Sequence, residues 1–120
     1  MNKTVDAALA QWADAFARLD YAKLSSLYTD DAMFFGSTPQ LRRGPQGVRD
    51  YFASLPPMPG ASVEFNDIET APAGPDVINV AMVAAFALPE RPPVLMRLTH
   101  TLVRTSDGWR IASHHASPKN

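Results

Sequence analysis

Residues 94–117 read VLMRLTHTLVRTSDGWRIASHHAS, and the fold turns on how the two halves of this stretch pair. Met96, Leu98, His100 and Leu102 alternate with Arg97, Thr99, Thr101 and Val103, the period of a strand with one covered face. Asp107-Gly108 signals a tight hairpin into a last strand over Trp109 to Ser117. Read as a two-residue turn, it pairs Ser106 with Trp109 and, counting back, His100 with His115. With no bulge, Trp109, Ile111, Ser113, His115 and Ser117 share the inner face, and Arg110, Ala112, His114 and Ala116 share the outer one. A slip of one residue exchanges the two sets. A buried polar group without a partner costs about 1–3 kcal/mol. Two imidazoles on an otherwise apolar face therefore indicate a lined cavity or bound water, unless each bonds a backbone carbonyl or Tyr28.

Upstream of this hairpin, Val77 to Leu88 is almost continuously apolar and fits a central strand covered on both faces. Val63 and Phe65 begin an earlier strand that breaks near Pro72-Ala73-Gly74-Pro75, and Pro89 to Pro93 makes another turn. The first half is helical. Val5, Leu9, Trp12, Phe16 and Leu19 form one stripe of an amphipathic helix, with Asn2 or Thr4 as its cap. Asp20 caps a short second helix that carries Leu24, Leu27 and Tyr28 inward and ends at Thr29-Asp30-Asp31. Ala32 to Phe35 is a short strand stopped by Gly36, and Ser37 to Gly44 a loop. Gly44-Pro45 opens a third helix with Val48, Tyr51, Phe52 and Leu55 on its apolar face, ended by Pro56, Pro57 and Pro59. The expected class is α+β: three helices segregated against one face of a strongly curved antiparallel sheet of about four main strands.

Composition bounds the function. The 120 residues suffice for one domain over 1–120 and show no linker or repeat. Eleven Lys and Arg against twelve Asp and Glu leave a net charge of -1, no footprint for nucleic acid or an anionic membrane. The lack of Cys excludes disulfides and thiolate chemistry. No apolar run reaches the roughly 18 residues of a membrane span, and Asp6, Gln11 and Asp14 interrupt any signal-peptide core, so a cytoplasmic protein is expected.

Most apparent constellations dissolve on inspection. His114 and His115 are adjacent on a strand and point to opposite faces, so they cannot share a metal ion; no metal and no cofactor are expected. Asp30-Asp31 reads as a turn, Asp14 and Arg18 as a surface ion pair, and Arg42-Arg43 as a solvated loop. Ser113 and Ser117 lack the acid and oxyanion donor that a nucleophile beside His115 would need. Gly36, Gly44 and Gly47 match no phosphate loop.

Several segments, in order, carry a resemblance. They are Trp12 to Phe16, Leu27-Tyr28-Thr29-Asp30-Asp31-Ala32, Gly36 to Arg42 and Gly47-Val48-Arg49-Asp50-Tyr51-Phe52. Arg97-Leu98-Thr99 and Asp107-Gly108-Trp109-Arg110-Ile111 follow, running into His114-His115-Ala116-Ser117. The chain resembles the SnoaL-like branch of the nuclear transport factor 2-like superfamily. Within it, it is most similar to bacterial relatives of the calcium/calmodulin-dependent kinase II association domain. The resemblance implies a cone-shaped α+β barrel, with a bent sheet wrapped around the helices, a pocket at one end and dimers through the sheet. Its members include isomerases, dehydratases, epoxide hydrolases, polyketide cyclases and assembly domains. In the kinase association domain the position matching His100 is a pocket arginine, and His115 matches a histidine. Arg97 belongs to the motif of the bacterial relatives, which makes it a pocket candidate although strand parity places it outside.

Three functions follow as expectations. The first is a homodimeric pocket protein that binds a modest, partly apolar small molecule between Trp12, Phe16, Tyr28, Phe35, Tyr51 and Trp109, with His100 and His115 as polar contacts. The second is an isomerase, cyclase or dehydratase without a cofactor. In it His115 would be the general acid/base, and Tyr28 or Tyr51 would donate to a developing oxyanion. The third is an association domain whose outer face, with Thr99, Thr101, Ala112 and Ala116, accepts another sheet.

Overall fold

The computed structural model describes residues 2–119. Helix α1 (Lys3–Ala17) starts where Asn2 Oδ1 accepts the Val5 N–H at 3.1 Å. Its buried stripe is Val5, Leu9, Trp12, Ala15 and Phe16. Leu19 falls outside the helix: it adopts a left-handed φ of 57°, and the Leu19 and Asp20 amides return to the carbonyls of Phe16 and Ala15, closing the helix end. Asp20 caps α2 (Tyr21–Ser26) through the Lys23 N–H.

That second helix is shorter than the sequence predicts. Tyr28 is the first residue of strand β1 (Tyr28–Phe35), not the last inward residue of α2. The Leu27 carbonyl accepts the Ile111 N–H at 2.8 Å, and Tyr28 lies opposite Ile111 in a parallel pairing. Pairing with a distant strand overrides the local helical pattern. The predicted loop after Gly36 contains a short strand, β2 (Leu41–Arg43), antiparallel to β1. Helix α3 (Gly44–Ser54) follows at once. Gly44 has φ 68° and lies so close to the Asp30 carbonyl oxygen that a Cβ would stand 2.6 Å from it; glycine is required there.

Strands β3 (Ser62–Pro72), β4 (Val77–Ala87), β5 (Val94–Thr105) and β6 (Gly108–Pro118) complete a six-stranded sheet of order β2-β1-β6-β5-β4-β3. The class is α+β, with three helices against one curved sheet. Two features of the expectation are corrected. The sheet is mixed rather than antiparallel, because β1 runs parallel to β6. It is also open rather than a closed barrel, with β2 and β3 as edges. Strand β4 is covered on one face: Ile78, Val80, Met82 and Ala84 are buried while Ala81 is exposed. At Asp67, φ 53°, the register of β3 against β4 shifts and the edge strand kinks.

The β5–β6 hairpin departs most from the sequence reading. Thr105 pairs with Gly108, so Ser106 and Asp107 form the turn and Gly108, at φ 103°, opens the strand. The Thr105 hydroxyl fixes this geometry, accepting the Asp107 N–H at 3.2 Å and donating to the Gly108 carbonyl at 2.7 Å. The register then shifts between Leu102↔Ile111 and Thr101↔Ser113, which leaves Ala112 as an extra residue. Turn and bulge together place His114, not His115, opposite His100.

Candidate functional site

The concave side holds a cavity of about 180 Å³ at the end of the sheet where β1, β4 and β6 finish and β5 begins. Helix α1 contributes Trp12 and Phe16, and α3 contributes Tyr51 and Phe52, with Leu55 just past its end. Phe34 enters from β1, Gly36 and Ser37 from the segment that follows it, Phe86 from β4, Met96 and Leu98 from β5, and His114 and Ala116 from β6. Met58, Leu88 and Val94, which flank the proline-rich turns, close the end. Among the described residues no Asp, Glu, Lys or Arg reaches this wall.

His114 is the polar centre of the wall. Its Nδ1 lies 3.0 Å from the Tyr28 hydroxyl and 2.9 Å from His100 Nε2. The Trp12 indole N–H donates to the same Tyr28 oxygen at 2.9 Å. These four side chains form a buried chain, Trp12 and His114 at the cavity wall and Tyr28 and His100 behind it, and Phe34 stacks on the imidazole of His114 with ring centres 4.1 Å apart. No protein group among the described residues bonds His114 Nε2. Burial lowers the His100 pKa to about 3 and moves that of His114 well below the ordinary value, the latter aided by repulsion from His100 and His115. Burial likewise pushes the Tyr28 phenol upward, against the opposing effect of its bond from Trp12. All three groups are therefore neutral at pH 7. The second candidate phenol is also committed, since the Tyr51 hydroxyl accepts the Ser37 N–H at 2.8 Å and contacts the Ser37 hydroxyl at 2.6 Å.

Of the residues singled out from sequence, Trp12, Phe16 and Tyr51 line the cavity. Tyr28 and His100 stand behind it, connected through His114. Four others lie elsewhere. His115 is exposed on the outer face, tilted against Phe35 with ring centres 5.3 Å apart, because the Ala112 bulge reverses the parity of the strand beyond it. Phe35 shares that outer face, opposite His115 in the register. Arg97 is exposed, and its guanidinium donates to the Pro118 carbonyl at 3.4 Å, as its parity on β5 requires. Trp109 lies at the hairpin end under the Arg104 guanidinium, beside a separate surface groove that includes Lys3, Gln11 and Lys23. Ala116, assigned to the outer face by sequence, turns inward and lines the cavity.

His114 is the residue that sequence reasoning missed. The tandem His114-His115 guarantees one inward imidazole in either register, so the sequence carries the presence of an inner histidine but not its number. Met58, Leu88 and Val94 leave no periodic signal, since they sit where strands give way to turns.

A family model described as the SnoaL-like domain matches residues 5–119. No curated protein matches the chain. Among solved structures, a protein of Xanthomonas campestris provisionally named as a calcium/calmodulin dependent protein kinase II association domain superposes with a TM-score of 0.83 at 21% identity, over 96% of this chain and 85% of its own. An NTF2-like protein of unknown function from Pseudomonas putida KT2440 gives 0.81 at 17% identity, over 94% and 82%. A protein from Streptomyces avermitilis, provisionally named as a dehydratase of the NTF2-like family, gives 0.79 at 22% identity, over 98% and 95%. At these identities the likeness is one of fold.

Proposed function

The chain belongs to the SnoaL-like domain family, and from that premise we propose that it binds a small, mostly apolar molecule in the cavity beside His114. The observation that carries this reading is the wall itself: mostly aromatic and aliphatic side chains, with His114 and Ser37 among them and no ionised residue among those described. Such a lining suits ligand capture by burial of apolar surface. An apolar cavity of about 150 Å³ is enough for benzene. At about 180 Å³ this one suits a single ring with a short substituent. Proton shuttling by His115 has no support from its position on the outer face, and the phenols of Tyr28 and Tyr51 are engaged by protein partners. A thermal-shift series with toluene and other one-ring aromatics tests the reading. Ligand at a hundredfold its dissociation constant stabilises by about 2.7 kcal/mol, a shift of several degrees. A series in which no one-ring compound moves the melting temperature overturns it.

We infer as well that two copies associate through the outer face of the sheet. Support comes from its apolar surface: Met33, Phe35 and Leu41 are 48%, 38% and 45% exposed, and Phe35 lies beside both Leu41 and His115 in the register. Ala116, expected on that outer face from the sequence, lines the cavity instead and is no position for a disruptive charge. Thr99, exposed and opposite His115, is the position to use. Thr99→Glu should halve the mass measured by sedimentation equilibrium, and a wild-type chain that sediments as a monomer refutes the pairing.

A further inference from the structure

The arrangement of protons behind the cavity points to the kind of ligand it accepts, given the binding reading above on which this inference rests. The Trp12 indole N–H can only donate, and it donates to the Tyr28 oxygen. The Tyr28 hydroxyl hydrogen then has one partner within reach, Nδ1 of His114 at 3.0 Å. If His114 carried its proton on Nδ1, that hydroxyl hydrogen would be buried without an acceptor, the costly outcome for a polar group. His100 Nε2, 2.9 Å from the same Nδ1, acts as a second donor that shares that nitrogen's single lone pair with the Tyr28 hydroxyl; two bare nitrogens at that distance would repel. With His114 Nδ1 bare and its proton on Nε2, the Trp12, Tyr28 and His100 hydrogens all point at an acceptor within the group, the last two sharing the Nδ1 lone pair. Nε2 is the nitrogen without a protein partner, on a ring that forms part of the cavity wall.

We propose that Trp12, Tyr28 and His100 lock His114 as a hydrogen-bond donor to the cavity, so that the site selects neutral one-ring molecules carrying a single oxygen acceptor, such as an aryl aldehyde or ketone. A ligand with an acceptor satisfies the lone Nε2–H. A pure hydrocarbon leaves it unpaired, and an ammonium or other donor group opposes it. Tyr28 acts here as a positioning residue, through His114.

Acetophenone and α-methylstyrene share one shape and differ in a carbonyl oxygen replaced by a methylene, so their titration calorimetry isolates the proposal. Acetophenone should bind roughly ten- to a hundredfold more tightly. Equal affinities would overturn the donor assignment while leaving the cavity reading in place; failure of both to bind would overturn both. Nitrogen-15 spectra of His114 give a readout that requires no ligand. A protonated Nε2 with a bare Nδ1 supports the proposal, and the reverse tautomer refutes it. In Tyr28→Phe the lock is released, so the preference for acetophenone over α-methylstyrene should shrink. A preference that survives intact in a folded Tyr28→Phe variant overturns the role given to Tyr28.

Discussion

His100 and His114 face each other across the β5–β6 pair, with Nε2 of the first 2.9 Å from Nδ1 of the second, and burial makes both far harder to protonate than free imidazole. In the unfolded chain each takes up a proton near pH 6.5; in the folded protein His100 does so only near pH 3, and His114 also well below its ordinary value. Between those limits the unfolded state binds more protons, so stability rises with pH over this window. The stabilisation is present in full above about pH 7 and is lost progressively as the pH falls through 6.5 toward 3. His100 alone accounts for roughly 3 kcal/mol of loss at pH 4. Urea unfolding at a series of pH values should show this slope, and His100→Gln should flatten it. An unchanged slope in that variant would mean that His100 is not buried as a neutral ring.

Tyr28→Phe removes the acceptor for the Trp12 N–H and the donor to His114 while keeping the ring volume. Leaving these buried groups unpaired should cost about 1–3 kcal/mol in denaturant unfolding at pH 7. A variant as stable as the parent would show that water replaces the hydroxyl.

Gly36→Ala strikes the cavity through its neighbour. A Cβ at Gly36 would overlap the Tyr51 ring, which is held in place by Ser37 and packs against Phe34 at 4.9 Å between ring centres. Overpacking of this kind costs about 1–3 kcal/mol. The melting temperature should fall and one-ring probes should bind more weakly, because the displaced ring is part of the wall.

Ala116→Leu should behave oppositely. Its extra methyl groups enter the cavity from β6 and occupy the space proposed for ligand. Stability should hold or rise by about 1 kcal/mol as apolar surface fills a void, while probe-induced thermal shifts disappear. Persistence of those shifts would place the ligand elsewhere.

Much of this architecture was legible in the sequence, because it rests on periodicity. The stripe Val5–Leu9–Trp12–Phe16, the Asp20 cap, the Gly44-Pro45 helix start and the alternation of Met96, Leu98, His100 and Leu102 all reappear as elements with the expected inward faces. What failed depends on pairing between distant segments. Tyr28 was drawn into β1 by Ile111; the Thr105-anchored turn moved the register of β6 by two residues, and the Ala112 bulge reversed the parity of the strand beyond it. A period-two pattern cannot reveal its own interruption when Ala112 and Ser113 suit either face. The candidate site suffered most, since it is built at strand ends and on the reversed half of β6.

The kink at Asp67 bears on how this chain avoids fibrous aggregation. Strand β3 is a sheet edge eleven residues long, and a straight apolar edge of that length would template the addition of strands from other molecules. Instead the left-handed Asp67 breaks its line, Glu64 and Glu69 place charge on either side, and Pro72 removes an amide donor at its end. Growth by extending the sheet is thereby discouraged along this border, so that strands of other molecules should not add to β3.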